Sequence, residues 1–437
     1  MISIIVLLLE ILTLRILTIL GITNRSQVID LLMIGVFFLT YVIDTELKDN
    51  LKPIQIPLIA GFTFRVTLLL FDIYGRRIYI LPNSGADADM FYRLGVETSM
   101  GFSNQRGLFI DLLGFIFRSI GISRIYVQFL LMLCSVVSLH MVNRILLECN
   151  VNKEVCYRTM MIICLLPNFA ILSSIMLRES IITMFISISL YFFIRWVYLK
   201  NEVYFLMALV ISLISMLFHS GVIAIPVAFL ISRVIYAKED GIFAISLGNV
   251  IISIVLLTLV VFLLNRYGDM LLGKFRNVDS IDDIAAVGRQ AGSTYAQYVG
   301  NSNSLFNMII YTLPRLIFFQ FSPMPFQWRG ISDIIAFLFD STFYLYVIFK
   351  ALFSIRDRQY KNKTIVILLL IVALSAMFVF AWGTSNTGTA IRHRDKMIVL
   401  YGVLLALSWD SILTETSQVE IGYQNDTSKL GNKYIKG

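Results

Sequence analysis

Residues 364–383 read TIVILLLIVALSAMFVFAWG, with no acidic, basic or imidazole side chain among them. A helix rises about 1.5 Å per residue, so about 20 apolar residues cross the ~30 Å hydrocarbon layer of a bilayer. The run is therefore read as a transmembrane helix. Working outward, runs of the same kind occur at 1–20, 28–44, 54–72, 125–146, 157–176, 180–198, 204–218, 221–236, 246–265, 331–351 and 397–413, making twelve in all. Two shorter runs, 107–121 and 306–322, are re-entrant, interfacial or spanning, so the expected count is 12–14 spans. Irregular backbone at membrane depth is tolerated only where protein buries it.

Composition agrees with that pattern. Hydrophobic residues make up 58% and charged residues 15% of the 437 positions, and the mean hydropathy is +0.80. Soluble domains carry roughly 25% charged residues. The expected fold class is an all-α polytopic transmembrane helix bundle, a single domain over 1–413 with large loops at 73–106 and 266–305. A polar tail, 414–437, lacks the apolar surface needed to fold and is expected to be disordered. No internal repeat is visible. The first run contains Glu10 and Arg15 and lacks a small-residue cleavage site, so it reads as a retained span and not a cleaved signal peptide.

The net charge of +8 comes from basic residues set singly or in small groups between the runs. That is not the basic stripe of a nucleic-acid binder. It sets topology instead, because Lys and Arg hold loops on the cytoplasmic side. Lys48, Lys52, Arg144, Lys153, Arg195, Lys200, Arg233 and Lys238 fall on one side, and the N-terminus joins them. Loops 73–106 and 266–305 then face out. If 306–322 does not cross, segment 384–396 also faces out; if it crosses, 384–396 faces in. Cys149 and Cys156 flank a polar loop on the side taken as cytoplasmic, where thiols stay reduced. There is no CxxC, and with three histidines no zinc pattern.

Polar residues that interrupt the runs are the places for chemistry. The first loop holds Gly85-Ala86-Asp87-Ala88-Asp89-Met90-Phe91-Tyr92-Arg93. Along an extended segment Asp87 and Asp89 line one side; on a helix they lie about 200° apart and only one faces a site. They read as a general base or a ligand for metal or sugar hydroxyl, or as a cap for a helix opening at Met90. Leu177-Arg178-Glu179-Ser180 interrupts an apolar stretch, where a buried charge costs at least ~2.5–3.5 kcal/mol. It is either a tight turn with Arg178 and Glu179 paired, or Arg178 is aimed at a phosphate that suits its planar fork. His219, between Phe218 and Ser220, is a structural turn residue or a proton carrier.

Three further stretches carry cations. Arg289 sits between Gly288 and Gly292 in the mixed-charge loop 266–305, where glycine lets backbone approach an anion. Arg315 follows Pro314, ahead of Pro323-Met324-Pro325-Phe326-Gln327-Trp328, a stretch that breaks regular helix and suits an interfacial anchor or a sugar platform. The densest stretch is Gly383-Thr384-Ser385-Asn386-Thr387-Gly388-Thr389-Ala390-Ile391-Arg392-His393-Arg394-Asp395-Lys396. It is either positive-inside charge or a pyrophosphate site. In the second case Arg392 and Arg394 are clamps with His393 between them, Lys396 is a point charge, and the small polar turn wraps the anion.

Together these stretches resemble bacterial polysaccharide polymerases of the O-antigen polymerase (Wzy) and EpsG-like type. The residues that carry the resemblance are Asp89 and Tyr92, Pro167 with Arg178-Glu179, Phe218-His219, Pro325-Phe326-Gln327-Trp328 and Gly388 to Arg394. Arg276 and Gly292 add an Arg-x15-Gly spacing described for some of these enzymes. The resemblance implies a GT-C-like membrane glycosyltransferase of the bacterial inner membrane with its site on the outer face. Such an enzyme joins undecaprenyl-pyrophosphate-linked oligosaccharide repeat units into lipopolysaccharide O-antigen or exopolysaccharide. It implies Asp87 or Asp89 as base and Arg178, Arg392 and Arg394, with Arg289 in addition, on the leaving pyrophosphate. A chain-length regulator is a candidate partner beside the bilayer and the lipid-linked sugar. No cofactor is implied, and the absence of a nucleotide-binding loop fits a lipid-linked donor. Two rival readings stay open. One is a glycosyltransferase adding a single sugar from a lipid-phosphate carrier. The other is a flippase of lipid-linked oligosaccharide, with Arg15, Arg65 and Asp340 lining a path.

Overall fold

A computed structural model describes residues 25–102, 107–236, 247–258, 305–356 and 362–410. The described residues form helices, short 3-10 turns and connecting loops, with no strand among them. In chain order the helices are α1 Arg25–Leu47, α2 Gln55–Tyr74, α3 Ala86–Ser99, α4 Leu108–Ile120, α5 Arg124–Glu148, α6 Lys153–Leu165 and α7 Pro167–Ser174. Then follow α8 Glu179–Leu199, α9 Glu202–Phe218 and α10 Ala224–Ile235, and α11 Leu247–Thr258. The last are α12 Leu305–Phe321, α13 Ile331–Ser354, α14 Lys363–Trp382, α15 Thr387–Asp395 and α16 Ile398–Asp410.

Among the described residues, five helices are long and apolar enough to cross a bilayer: α2 with the turn before it, α5, α8, α13 and α14. A sixth is added if α6 and α7, bent by 55° at their junction, form one broken span. The break falls at Pro167, which opens α7 and has no N–H to continue α6. The 12–14 spans read from the sequence are counted over the whole chain, and five or six of those runs are found as candidate spans among the described residues. Runs 204–218 and 221–236 fold as α9 and α10, of 17 and 12 residues. Run 107–121 folds as α4, whose 13 residues extend only about 20 Å. Run 1–20, the loop 266–304 and the tail 414–437 lie outside the described residues.

Local chemistry sets the helix starts. Asn152, Asn201 and Asn386 each turn a side-chain oxygen onto a backbone N–H two residues on, at 2.8, 2.9 and 2.8 Å. This satisfies donors that a helix start leaves open. Ser123 caps α5 the same way, through the Tyr126 N–H at 3.2 Å. Packing is centred on α8, which lies against α5 and α9, while α14 lies against α10 and α12. Small residues bring helices close, as in other membrane bundles. A Cβ at Gly61 of α2 would stand 2.7 Å from Cys164 Cβ on α6, and one at Gly114 of α4 would stand 2.5 Å from Thr98 Cγ2 on α3. The outer surface is apolar where helices face away from the bundle, with Val210, Phe349 and Leu374 exposed.

Contacts sort the helix ends into two layers. At one end Arg195 pairs with Glu148 at 3.3 Å, Tyr198 donates to Asn362 at 3.2 Å and the Asn152 N–H donates to Asp410 at 2.9 Å. At the other end meet the last turn of α2, helix α3, the starts of α5 and α8, the end of α9, and α15. Segment 384–396 therefore shares an end with residues of 73–102, as in the alternative where 306–322 does not cross.

Candidate functional site

The site is built where four distant parts of the chain meet. Helix α3 begins at Ala86, four residues ahead of the expected start at Met90, with Gly85 before it. Asp87 and Asp89 thus sit in its first turn, near the positive end of the helix dipole, and neither caps it through a side-chain hydrogen bond. Two residues apart on a helix, they face opposite ways. Asp87 pairs with Arg392 of α15. Asp89 accepts hydrogen bonds from Arg76 at 2.8 and 2.9 Å and from Arg124 at 2.7 Å. Burial pushes the Asp89 carboxyl up, but the bonds from Arg76 and Arg124 outweigh it and hold the group below its ordinary value. Asp89, expected as a base, is here held between two guanidinium groups and anchors α3.

Arg392 is the hub. Its Nε and Nη2 donate to Glu179 Oε1 at 3.0 and 2.9 Å, and its Nη1 donates to Asp87. Glu179, the first residue of α8, is 2% exposed. Lys396 Nζ lies 3.8 Å from the same Glu179 oxygen and is fully buried. Arg178 precedes Glu179, and its guanidinium carbon stands 6.0 Å from the Phe91 ring centre. Its Nε has no hydrogen-bond partner. The expected Arg178–Glu179 turn pair is replaced by Glu179 with Arg392. His219 and His393 stand ring to ring at 4.7 Å, with His393 also 4.9 Å from Phe380. The His219 Nδ1 accepts the Gly221 N–H at 3.2 Å, so a neutral His219 carries its proton on Nε2.

Helix α15 and the turn after it lie outside the candidate spans. Burial first, then the neighbouring Lys396 and His219, holds His393 well below its ordinary range, so it is a neutral imidazole. Burial pushes the Lys396 ammonium down to about 7, against the pull of Glu179 in the other direction. Arg392 stays charged, held by Glu179 and Asp87 against the cost of burial. The cluster therefore gathers Arg178, Arg392 and Lys396 around two carboxylates, which suits an anion carrying several oxygens. Among the described residues no group of three or more His, Cys, Asp or Glu converges as metal ligands.

Other expected site residues go elsewhere. Arg394, two residues past Arg392 on α15, points away and donates to the carbonyls of Phe319 and Gln320 at 2.9 and 2.6 Å. It ties down the open end of α12, where the expectation was a phosphate clamp. Arg315 lies over the Trp382 ring at 4.3 Å, a cation–π contact in place of the expected phosphate contact. In the small polar turn Asn386 starts α15. Trp328 donates its Nε1 to the Pro323 carbonyl at 3.1 Å. Arg289 lies outside the described residues.

Sequence reasoning missed the network that holds α3. Asp72, fully buried at the end of α2, accepts from Ser84 and from Gln128 Nε2 at 2.7 Å. Arg124 stands 3.5 Å from Asp72 and also binds Asp89. The signal was present as Asp72 and Gln128 inside apolar runs. Arg65 and Asp340, weighed as a transport path, are buried and bonded within the protein. Arg65 donates to Ser173 Oγ at 3.0 Å, Gly61 O at 3.0 Å and Cys164 O at 2.7 Å, and Asp340 accepts from Asn168.

No protein-family model, curated protein or solved structure matches the chain.

Proposed function

We propose that the protein is a membrane glycosyltransferase that polymerises oligosaccharide repeat units carried on undecaprenyl pyrophosphate, working at the outer face of a bacterial inner membrane. The observation that carries the reading is the Asp87–Arg392–Glu179 bridge, flanked by Arg178 and Lys396, at one end of an apolar helix bundle. A lipid-linked donor needs this placement, with its tail in the bilayer and its pyrophosphate at the bundle's end. The fold then belongs with the GT-C-like enzymes, and the described helices are part of its 12–14 spans.

In the reaction an acceptor hydroxyl oxygen bonds to the anomeric carbon of the growing chain. The bond from that carbon to the pyrophosphate oxygen breaks, and its electron pair leaves with the lipid pyrophosphate. The hydroxyl proton passes to Asp87, the half-exposed carboxylate of the pair. Arg178, Arg392 and Lys396 stabilise the charge that grows on the leaving group. Glu179 stays buried and positions Arg392.

The test is made in the native host. Arg178→Ala and Asp87→Asn, each at normal membrane level, are expected to leave a single repeat unit on the lipid carrier and no polysaccharide ladder. A full ladder in both variants refutes the reading. One missing sugar in a ladder of unchanged spacing supports a single-sugar transferase instead.

A further inference from the structure

We infer that the lipid pyrophosphate takes the place of Asp87 on Arg392, so that donor binding itself releases the base. The inference rests on the reading of this cluster as the pyrophosphate site.

Arg392 makes three hydrogen bonds to carboxylates, and they are unequal. Two go to Glu179, whose side chain is 2% exposed; one goes to Asp87, whose side chain is 51% exposed. Releasing Glu179 would leave a bare carboxylate in a buried setting, a large cost. Releasing Asp87 returns a carboxylate to water at little cost, because exposed ion pairs are weak. An anion that needs the Arg392 fork therefore displaces Asp87 and leaves Glu179 in place. Lys396 is fully buried; among the described residues its Nζ makes no hydrogen bond, and it lies 3.8 Å from Glu179 Oε1 and over the Phe380 ring. The Arg178 Nε is likewise without a hydrogen-bond partner. Both have donors to offer the same anion.

The exchange meets two needs at once. A guanidinium shared by two carboxylates has little charge left for a leaving group. A carboxylate oxygen that already accepts from a guanidinium is blocked from an acceptor hydroxyl. Moving Arg392 from Asp87 to the pyrophosphate cures both. Asp89, bound to Arg76 and Arg124 on the other side of α3, keeps the helix in place while Asp87 lets go. Asp87 is then free to take the acceptor's proton only when a donor is present.

The experiment measures binding of inorganic pyrophosphate to the purified full chain in detergent by calorimetry. Asp87→Asn removes the internal competitor and is expected to bind roughly five- to tenfold more tightly than the unaltered protein, since one negative charge near a multiply charged anion is removed. Glu154→Gln, which alters a carboxylate paired with Arg158 at the far end, is expected to leave affinity unchanged. Unchanged or weaker binding by Asp87→Asn overturns the inference, as does absence of binding in both the parent and Asp87→Asn. An equal gain in Glu154→Gln also overturns it, because the effect is then one of net charge. If Arg178→Ala abolishes the ladder while Asp87→Asn shows no affinity gain, the exchange fails and the polymerase reading stands. If the ladder survives Arg178→Ala and Asp87→Asn, the polymerase reading itself fails.

Discussion

Glu179→Gln keeps the shape of the side chain and removes its charge. Arg392 then retains Asp87, but Lys396 has no other carboxylate oxygen within 4 Å among the described residues. Breaking one side of a buried ion pair costs about 3–5 kcal/mol. Arg392 keeps one partner, so the expected loss is the lower figure, about 3 kcal/mol. Adding Lys396→Met removes the stranded amine while keeping its apolar stem, and the pair of changes is expected to recover about 1–2 kcal/mol, within the range of coupling between contacting residues. The assay is unfolding of the purified protein by a denaturing detergent, with helicity read by circular dichroism. A Glu179→Gln protein within about 0.5 kcal/mol of the parent refutes the reasoning, since that is the range of an uninvolved surface change. A double variant less stable than Glu179→Gln alone refutes it as well.

Other expectations follow from the same geometry. Arg394→Ala strands the carbonyls of Phe319 and Gln320. It is expected to lower stability by about 2–3 kcal/mol, the scale of bonds from a charged donor, while pyrophosphate affinity of the folded fraction stays as in the parent. Gly114→Val places carbon against Thr98, where a Cβ would already stand at 2.5 Å. Overpacking of that kind costs about 1–3 kcal/mol, and the ladder is expected to shorten at normal membrane level as α3 shifts. Asp89 has its folded pKa lowered, so its stabilising effect is complete above the unfolded value near ~4 and fades as pH falls through the folded value. Stability is expected to hold from neutral pH down to about 5 and to fall in stronger acid. Asp89→Asn should flatten that fall; an unchanged acid limb counts against the anchor role.

The helical, membrane-embedded character was legible in the chain because uncharged apolar runs of span length are rare in water-soluble proteins. Which runs fold as helices too short to cross was not. An apolar run has no direction in it, so the 157–176 run reads as one straight span although Pro167 marks the place of its 55° bend, and α9 and α10 read as spans although they are short. Asp87, Glu179 and Arg392 were each legible as costly polar residues, and the structure gathers them. Their partners were not legible, because 213 residues separate Glu179 from Arg392. Arg392 and Arg394 look equivalent in a turn. Only on a helix does a two-residue step send one to the carboxylates and the other to α12.

The same separation has a consequence for synthesis. Glu179 is made 213 residues before Arg392. At about 5–20 residues per second that is an interval of roughly 10–40 s. Throughout it, the start of α8 holds a carboxylate whose partners do not yet exist, at the edge of a forming apolar bundle. Asp87 waits longer still. The early helices must therefore stay loosely gathered, with water or the insertion machinery around Glu179, until α15 arrives to close the end of the bundle. A chain truncated ahead of Arg392 would be a substrate for membrane proteolysis rather than a smaller version of the protein.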